Sequence, residues 1–178
     1  LIGTDPLPRR LSPIPLSQVT LEAPIPRPAR NIFCVGKNYH AHAREFARSG
    51  FDSSAAQSEV PTHPIIFSKL PESVIGPDSP IRIDKAVSTA IDYEAELGVI
   101  IGTPGRGISR ADAMDHVWGY TIINDVTARD LQGRYSQWLI AKSQDTFCPM
   151  GPWAVTADEV DLGAISVRCL VNGEERQN

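Results

Sequence analysis

The segment Asp92-Tyr93-Glu94-Ala95-Glu96-Leu97-Gly98-Val99-Ile100-Ile101-Gly102 constrains this chain more than any other, because it sets carboxylates into a run that otherwise reads as a buried strand. Side chains alternate along a strand, so Glu94 and Glu96 share one face, ~7 Å apart at their Cα atoms, while Leu97, Val99 and Ile101 take the other. Two ionised carboxylates side by side in an apolar setting are costly unless water, basic groups or a cation offsets them. The stretch therefore reads in two ways: as part of a divalent-metal site, or as an edge strand with one wet face.

The 178 residues are 42% hydrophobic and 21% charged, which suits one globular domain with a sizeable core. A net charge of −4 with no Lys/Arg run leaves no basic footprint for nucleic acid. Cys34, Cys148 and Cys169 are odd in number, widely spaced and without a CxxC pair, which argues against a disulfide framework or a zinc site and fits a reducing cytoplasm. No signal-peptide pattern and no apolar run near the ~20 residues of a bilayer span is present, so a soluble protein with no membrane partner is expected.

Residues 1–30 carry seven of the fifteen prolines and read as a leader or linker that lies on something else. Residues 31–178 read as one domain. Asn31 to Gly36 predicts a short buried strand, and Ala41 to Ser49 a helix on which His42 and Glu45 share a face. That pair is either a general base with its orienting carboxylate or a surface ion pair. Residues 50–64 read as a loop, 64–69 as a strand, 70–80 as turns and 81–83 as a brief strand. Ser109-Arg110-Ala111-Asp112 predicts an N-capped helix to about Val117, with no glycine pattern for a nucleotide phosphate. Trp118 to Val126 alternates as a strand that ends at Asp125, and Thr127 to Asp130 reads as a capping box opening a short helix with Arg129 and Gln132 on one side. Lys142 is a lone cation among small polar residues, either functional or a solvated surface lysine. A last strand, 165–171, leads to an Asn172-Gly173 turn whose returning arm is expected to be missing, as in a chain truncated at its C-terminus.

Together these pieces resemble the fumarylacetoacetate hydrolase family. The motifs that carry the resemblance are GKNYHAHARE at 36–45, DYEAELGVIIG at 92–102, GYTIINDVTARDLQ at 119–132, KSQDTFCPMGPW at 142–153 and VNGEERQ at 171–177. The resemblance implies an α+β fold, a mixed β-sheet roll with peripheral helices, assembled as a homodimer. It implies Mg²⁺, or else Mn²⁺ or Ca²⁺, held by Glu94, Glu96 and Asp125, a set of hard oxygen donors. By the same resemblance His42 and Glu45 activate water, Lys142 faces the substrate, and Arg129, Gln132 and Tyr39 contact it. The implied activity is hydrolysis of a C–C bond in a small 1,3-dicarbonyl or acylpyruvate-like oxo acid from aromatic catabolism. Alternatives on the same scaffold are an oxaloacetate-type decarboxylase, a 2-hydroxyhepta-2,4-diene-1,7-dioate-type isomerase and a non-catalytic binding module.

Overall fold

Alternating hydrophobicity at 95–101 and 117–124 builds the element around which the rest is arranged. In the computed structural model, which describes residues 12–39 and 62–178, strand β5 (Ala95–Ile101) runs antiparallel to β6 (Val117–Asn124), and β9 (Val155–Thr156) adds to the far edge of β6. Gly119 makes that edge possible, since a Cβ there would collide with the carbonyl oxygen of Val155. Four two-stranded pairings surround this sheet. They are antiparallel β1 (Ile32–Gly36) with β2 (Ile65–Lys69), parallel β3 (Val74–Ile75) with β8 (Cys148–Pro149), antiparallel β4 (Ile91–Asp92) with β7 (Thr127–Ala128), and antiparallel β10 (Cys169–Val171) with β11 (Glu174–Gln177). Two short helices, α1 (Arg129–Arg134) and α2 (Leu139–Lys142), pack together beside them. Mixed small sheets with few helices among the described residues make this an α+β fold.

Two apolar clusters hold the elements. Val126, Ala128, Leu131, Ala141 and Phe147 join β7 to both helices, and Ile123, Cys148 and Met150 join β6 to β8. The second cluster also contains Ala23, so the proline-rich segment around residues 21–23 lies on the body of the domain; its backbone passes over Gly76, where a Cβ would come within 2.8 Å of the Leu21 carbonyl oxygen.

Several local expectations are corrected. Residues 81–83 form no strand, and the helix expected from Ser109 is a turn followed by a single 3-10 turn, Ala113–His116. Ser109 still caps: its hydroxyl accepts the Asp112 N–H at 3.2 Å. The capping box at Thr127 does not form. Thr127 lies in β7 and its hydroxyl turns to Glu94 and to the Asp125 carbonyl, so α1 starts without a side-chain cap. The last strand is shorter than expected, and the arm thought missing is present as β11, pairing Val171 with Glu174 across the Asn-Gly turn. Finally, the apolar face of β5 is exposed, with Val99 at 51% and Ile101 at 60%, whereas the carboxylate face points inward.

Candidate active site

Strand alternation places Glu94, Glu96 and Gly98 on the inner face of β5, opposite Ile123 and Thr121 of β6. The absence of a side chain at Gly98 lets Thr121 and Ile123 pack closely against the strand, since a Cβ would lie within 2.9 Å of the Thr121 methyl group. Asp125 follows the end of β6, and its N–H donates to the Glu94 carbonyl at 2.8 Å, which ties the two acidic segments together. A cavity of about 720 Å³ opens over this floor, lined by Tyr39, Lys69, Glu94, Glu96, Asp125, Gln132 and Lys142 among a mostly apolar wall.

At the floor the charges interleave. Lys142, 2% exposed at the end of α2, places its ammonium between Glu94 and Asp125, hydrogen-bonding Glu94 Oε2 and lying 2.7 Å from Asp125 Oδ2. Its Nζ also stands 4.9 Å from the centre of the Phe67 ring. Burial disfavours the Lys142 ammonium, but the Asp125 and Glu94 carboxylates outweigh it and hold its pKa above the ordinary lysine value. Lys142 is therefore a buried donor and not a solvated surface lysine.

Asp125 is gripped from its other side by Lys69, whose Nζ lies 2.7 Å from Oδ1 and donates also to the Val126 carbonyl at 3.1 Å and to the Lys142 carbonyl. Glu94 is held in turn by Arg129 Nη2 at 2.9 Å and by the Thr127 hydroxyl at 3.1 Å. Arg129 also donates to Asp92, 2.8 Å from Nε, and to Gln132 Oε1, 2.9 Å from Nη1. Thus Lys69, Lys142 and Arg129 face Asp92, Glu94 and Asp125, three cations to three carboxylates, and the cavity is lined besides by Glu96 and by the cations Lys37 and Arg30.

The structure brings together six of the nine residues expected from sequence within or beside this cavity: Tyr39, Glu94, Glu96, Asp125, Gln132 and Lys142. The Tyr39 phenol bonds the Glu96 carboxylate, and burial followed by the Glu96 charge raises its pKa, so it stays protonated. Arg129 lies behind the floor, against Glu94. His42 and Glu45 lie outside the described residues. Lys69, Asp92 and Thr127 are the participants not singled out in the sequence. Lys69 carried a usable signal, since period-two alternation puts it on the same face of β2 as Ile65 and Phe67, a place where an unpaired lysine would not be buried. Thr127 carried a misleading one, since its spacing to Asp130 imitates a cap.

Among the described residues no three His, Cys, Asp or Glu side chains converge on one point. Glu94 and Asp125 do converge, on the Lys142 ammonium, and Glu96 lines the same cavity beside them. The donors are hard oxygens of the kind a divalent cation takes, and an ion at this point would have to take the place of the Lys142 ammonium between Glu94 and Asp125.

A buried, charge-interleaved floor under a mostly apolar cavity has the make-up of a small-molecule site. The family model described as fumarylacetoacetate (FAA) hydrolase C-terminal matches residues 31–178, and the chain belongs to that family. The oxaloacetate tautomerase YisK of Bacillus subtilis is 46% identical over 164 residues, covering 92% of this chain and 52% of that protein. The mitochondrial oxaloacetate tautomerase FAHD2A of Homo sapiens is 42% identical over 172 residues, covering 95% and 51%. A solved 2-hydroxyhepta-2,4-diene-1,7-dioate isomerase from Mycobacterium marinum is 40% identical with a TM-score of 0.74, covering 92% of this chain and 55% of that one. The fumarylacetoacetate hydrolase of Exiguobacterium antarcticum is 44% identical with a TM-score of 0.73, covering 88% and 52%. The chain thus spans about half the length of the curated relatives it matches. No helix among the described residues is long and apolar enough to cross a membrane.

Proposed function

We propose that this site relocates a proton within a small 2-oxo dicarboxylic acid, interconverting enol and keto forms of an oxaloacetate-like substrate. The observation that carries the reading is the Lys142 ammonium, buried between Glu94 and Asp125 at the cavity floor, where a fixed donor can meet the oxygen of an enolate. The names of relatives 42–46% identical favour proton relocation over the C–C hydrolysis expected from the family resemblance. The solved structure from Mycobacterium marinum is named as an isomerase of a longer dioate, which is in keeping with this reading.

Enol-to-keto conversion removes the proton of the enol hydroxyl and delivers one to the adjacent carbon. Lys142, held protonated, supports negative charge on the oxygen between these two events. Tyr39 is a second protonated donor at the cavity, and Gln132 offers an amide to orient a substrate carboxylate. Glu94, Glu96 and Asp125 would hold Mg²⁺, or Mn²⁺ or Ca²⁺ in its place, and such an ion would supply Lewis-acid stabilisation of the enolate. His42, oriented by Glu45, is the proposed carrier of the proton to carbon.

Three unpaired cysteines support a reducing compartment such as the cytoplasm. Exposed Phe33, Val35 and Ile66 on one face of the β1–β2 pair support a homodimer, which sedimentation velocity tests. The deciding assay supplies enol-oxaloacetate, keto-oxaloacetate, an acylpyruvate and a hydroxy-diene-dioate to the protein with Mg²⁺. Faster enol decay without pyruvate release supports the reading. Cleavage of acylpyruvate with an unchanged enol decay would replace it with hydrolysis.

A further inference from the structure

The VNGEERQ motif at 171–177 has no part in the chemistry above, yet its last residue reaches the acidic strand. Gln177 Oε1 accepts the Ala95 N–H at 2.9 Å, and Gln177 Nε2 donates to the Ala95 carbonyl at 2.8 Å. A side-chain amide thus takes both backbone groups of one residue, as a neighbouring strand would. Ala95 is the residue between Glu94 and Glu96, and its register partner across the sheet is Asn124.

The hairpin is built to deliver this contact. Val171 pairs with Glu174 and Leu170 with Glu175, but Cys169 pairs with Gln177, so Arg176 is the extra residue of a bulge. Bulges re-aim side chains by shifting the alternation of one strand. Here Arg176 turns out to an exposed ion pair with Glu174 at 2.5 Å, and Gln177 turns to Ala95. The flanking backbone is pinned as well: Asn124 Oδ1 accepts the Glu94 N–H at 3.1 Å, and the Asp125 N–H donates to the Glu94 carbonyl at 2.8 Å.

We propose that Gln177 is a positioning residue for the carboxylate pair: by serving as a one-residue strand partner to Ala95 it fixes the directions in which Glu94 and Glu96 leave the backbone. Its catalytic consequence rests on the proton-relocation reading; its structural consequence does not. Bonds to the N–H and C=O of Ala95 pin the two peptide planes that join it to Glu94 and to Glu96, and so restrain the backbone angles that aim the two flanking side chains. A carboxylate displaced by about 1 Å would cost a preorganised site on the order of 100-fold in rate.

The test uses Gln177→Leu, which keeps the bulk and removes both bonds, with Val171→Ala as a control that loosens the same hairpin without touching Ala95. In Gln177→Leu the Ala95 amide exchanges with deuterium at least tenfold faster, the ¹³C carboxyl resonances of Glu94 and Glu96 move, and kcat on enol-oxaloacetate falls at least tenfold with a smaller change in KM. Val171→Ala leaves the two carboxyl resonances and kcat in place. Unchanged carboxyl resonances in Gln177→Leu would overturn the proposal, as would an unchanged exchange rate at Ala95. If the wild-type protein does not turn over the oxo acid, the proton-relocation reading fails, and the resonances and exchange rate alone decide the role of Gln177.

Discussion

Lys69 has no exposed surface and three acceptors, Asp125 and the carbonyls of Val126 and Lys142. Removing the charge with Lys69→Met leaves a buried carboxylate without one of its two cations, and breaking a buried pair in this way costs about 3–5 kcal/mol. Chemical denaturation should show a loss of that size. Lys142→Met removes the other cation of Asp125, and under the proposed function it abolishes enol turnover, the larger effect being on kcat; a variant with wild-type kcat would move the enolate donor elsewhere. Cys34 supplies a pH prediction. Burial, reinforced by the Asp125 charge, pushes its thiol from 9.0 up to about 12. The unfolded chain ionises this thiol near 9 and the folded chain near 12, so the folded state binds more protons in between. The stability from Cys34 is fully present below pH 9 and is lost as pH rises toward 12. Cys34→Ala should flatten the fall of the denaturation midpoint between pH 9 and 11 relative to wild type, and parallel curves would contradict the assignment.

At the scale of elements, the β5–β6–β9 sheet depends on a close approach at Gly119, where any side chain meets the Val155 carbonyl. Gly119→Ala must displace β9 and should destabilise by roughly 1–3 kcal/mol, read as a lowered thermal midpoint. The segment from Thr127 to Arg134 shows how tertiary demand overrides local preference. Its sequence suits a capped helix, yet Thr127 contributes more as a strand residue, where it pairs with Asp92 and donates to the Glu94 carboxylate. α1 then begins at Arg129, whose N–H reaches the Ala90 carbonyl at 2.8 Å, while Asp130 Oδ1 accepts the Leu131 N–H and the Ser88 hydroxyl. The helix is started by neighbouring segments and not by its own cap, and this places the Arg129 guanidinium against Asp92 and Glu94.

For the molecule as a whole, a divalent cation at Glu94, Glu96 and Asp125 would bind the folded state alone and stabilise it by linkage, about 2.7 kcal/mol at 100 times Kd. Thermal melts with Mg²⁺ and with EDTA should therefore separate, and superimposed curves would remove the metal from the proposed mechanism. The sequence by itself placed strands at 31–36, 64–69, 92–102 and 118–126, which the structure has at 32–36, 65–69, 95–101 and 117–124, because alternation and β-branched composition are local properties. It also determined that Glu94 and Glu96 share a face, since period two requires it. It did not determine which face is inward. The apolar side of β5 reads as the buried one, yet Val99 and Ile101 are exposed and the carboxylates are covered. Only tertiary structure could decide this, because the cost of burying Glu94 and Asp125 is offset by Lys69 from β2, Lys142 from α2 and Arg129 from α1, which lie 25 to 48 positions from Glu94 along the chain. Local patterning prices a charge against water, whereas the fold sets it against cations brought from distant segments, and that exchange turned an awkward strand into the floor of a site.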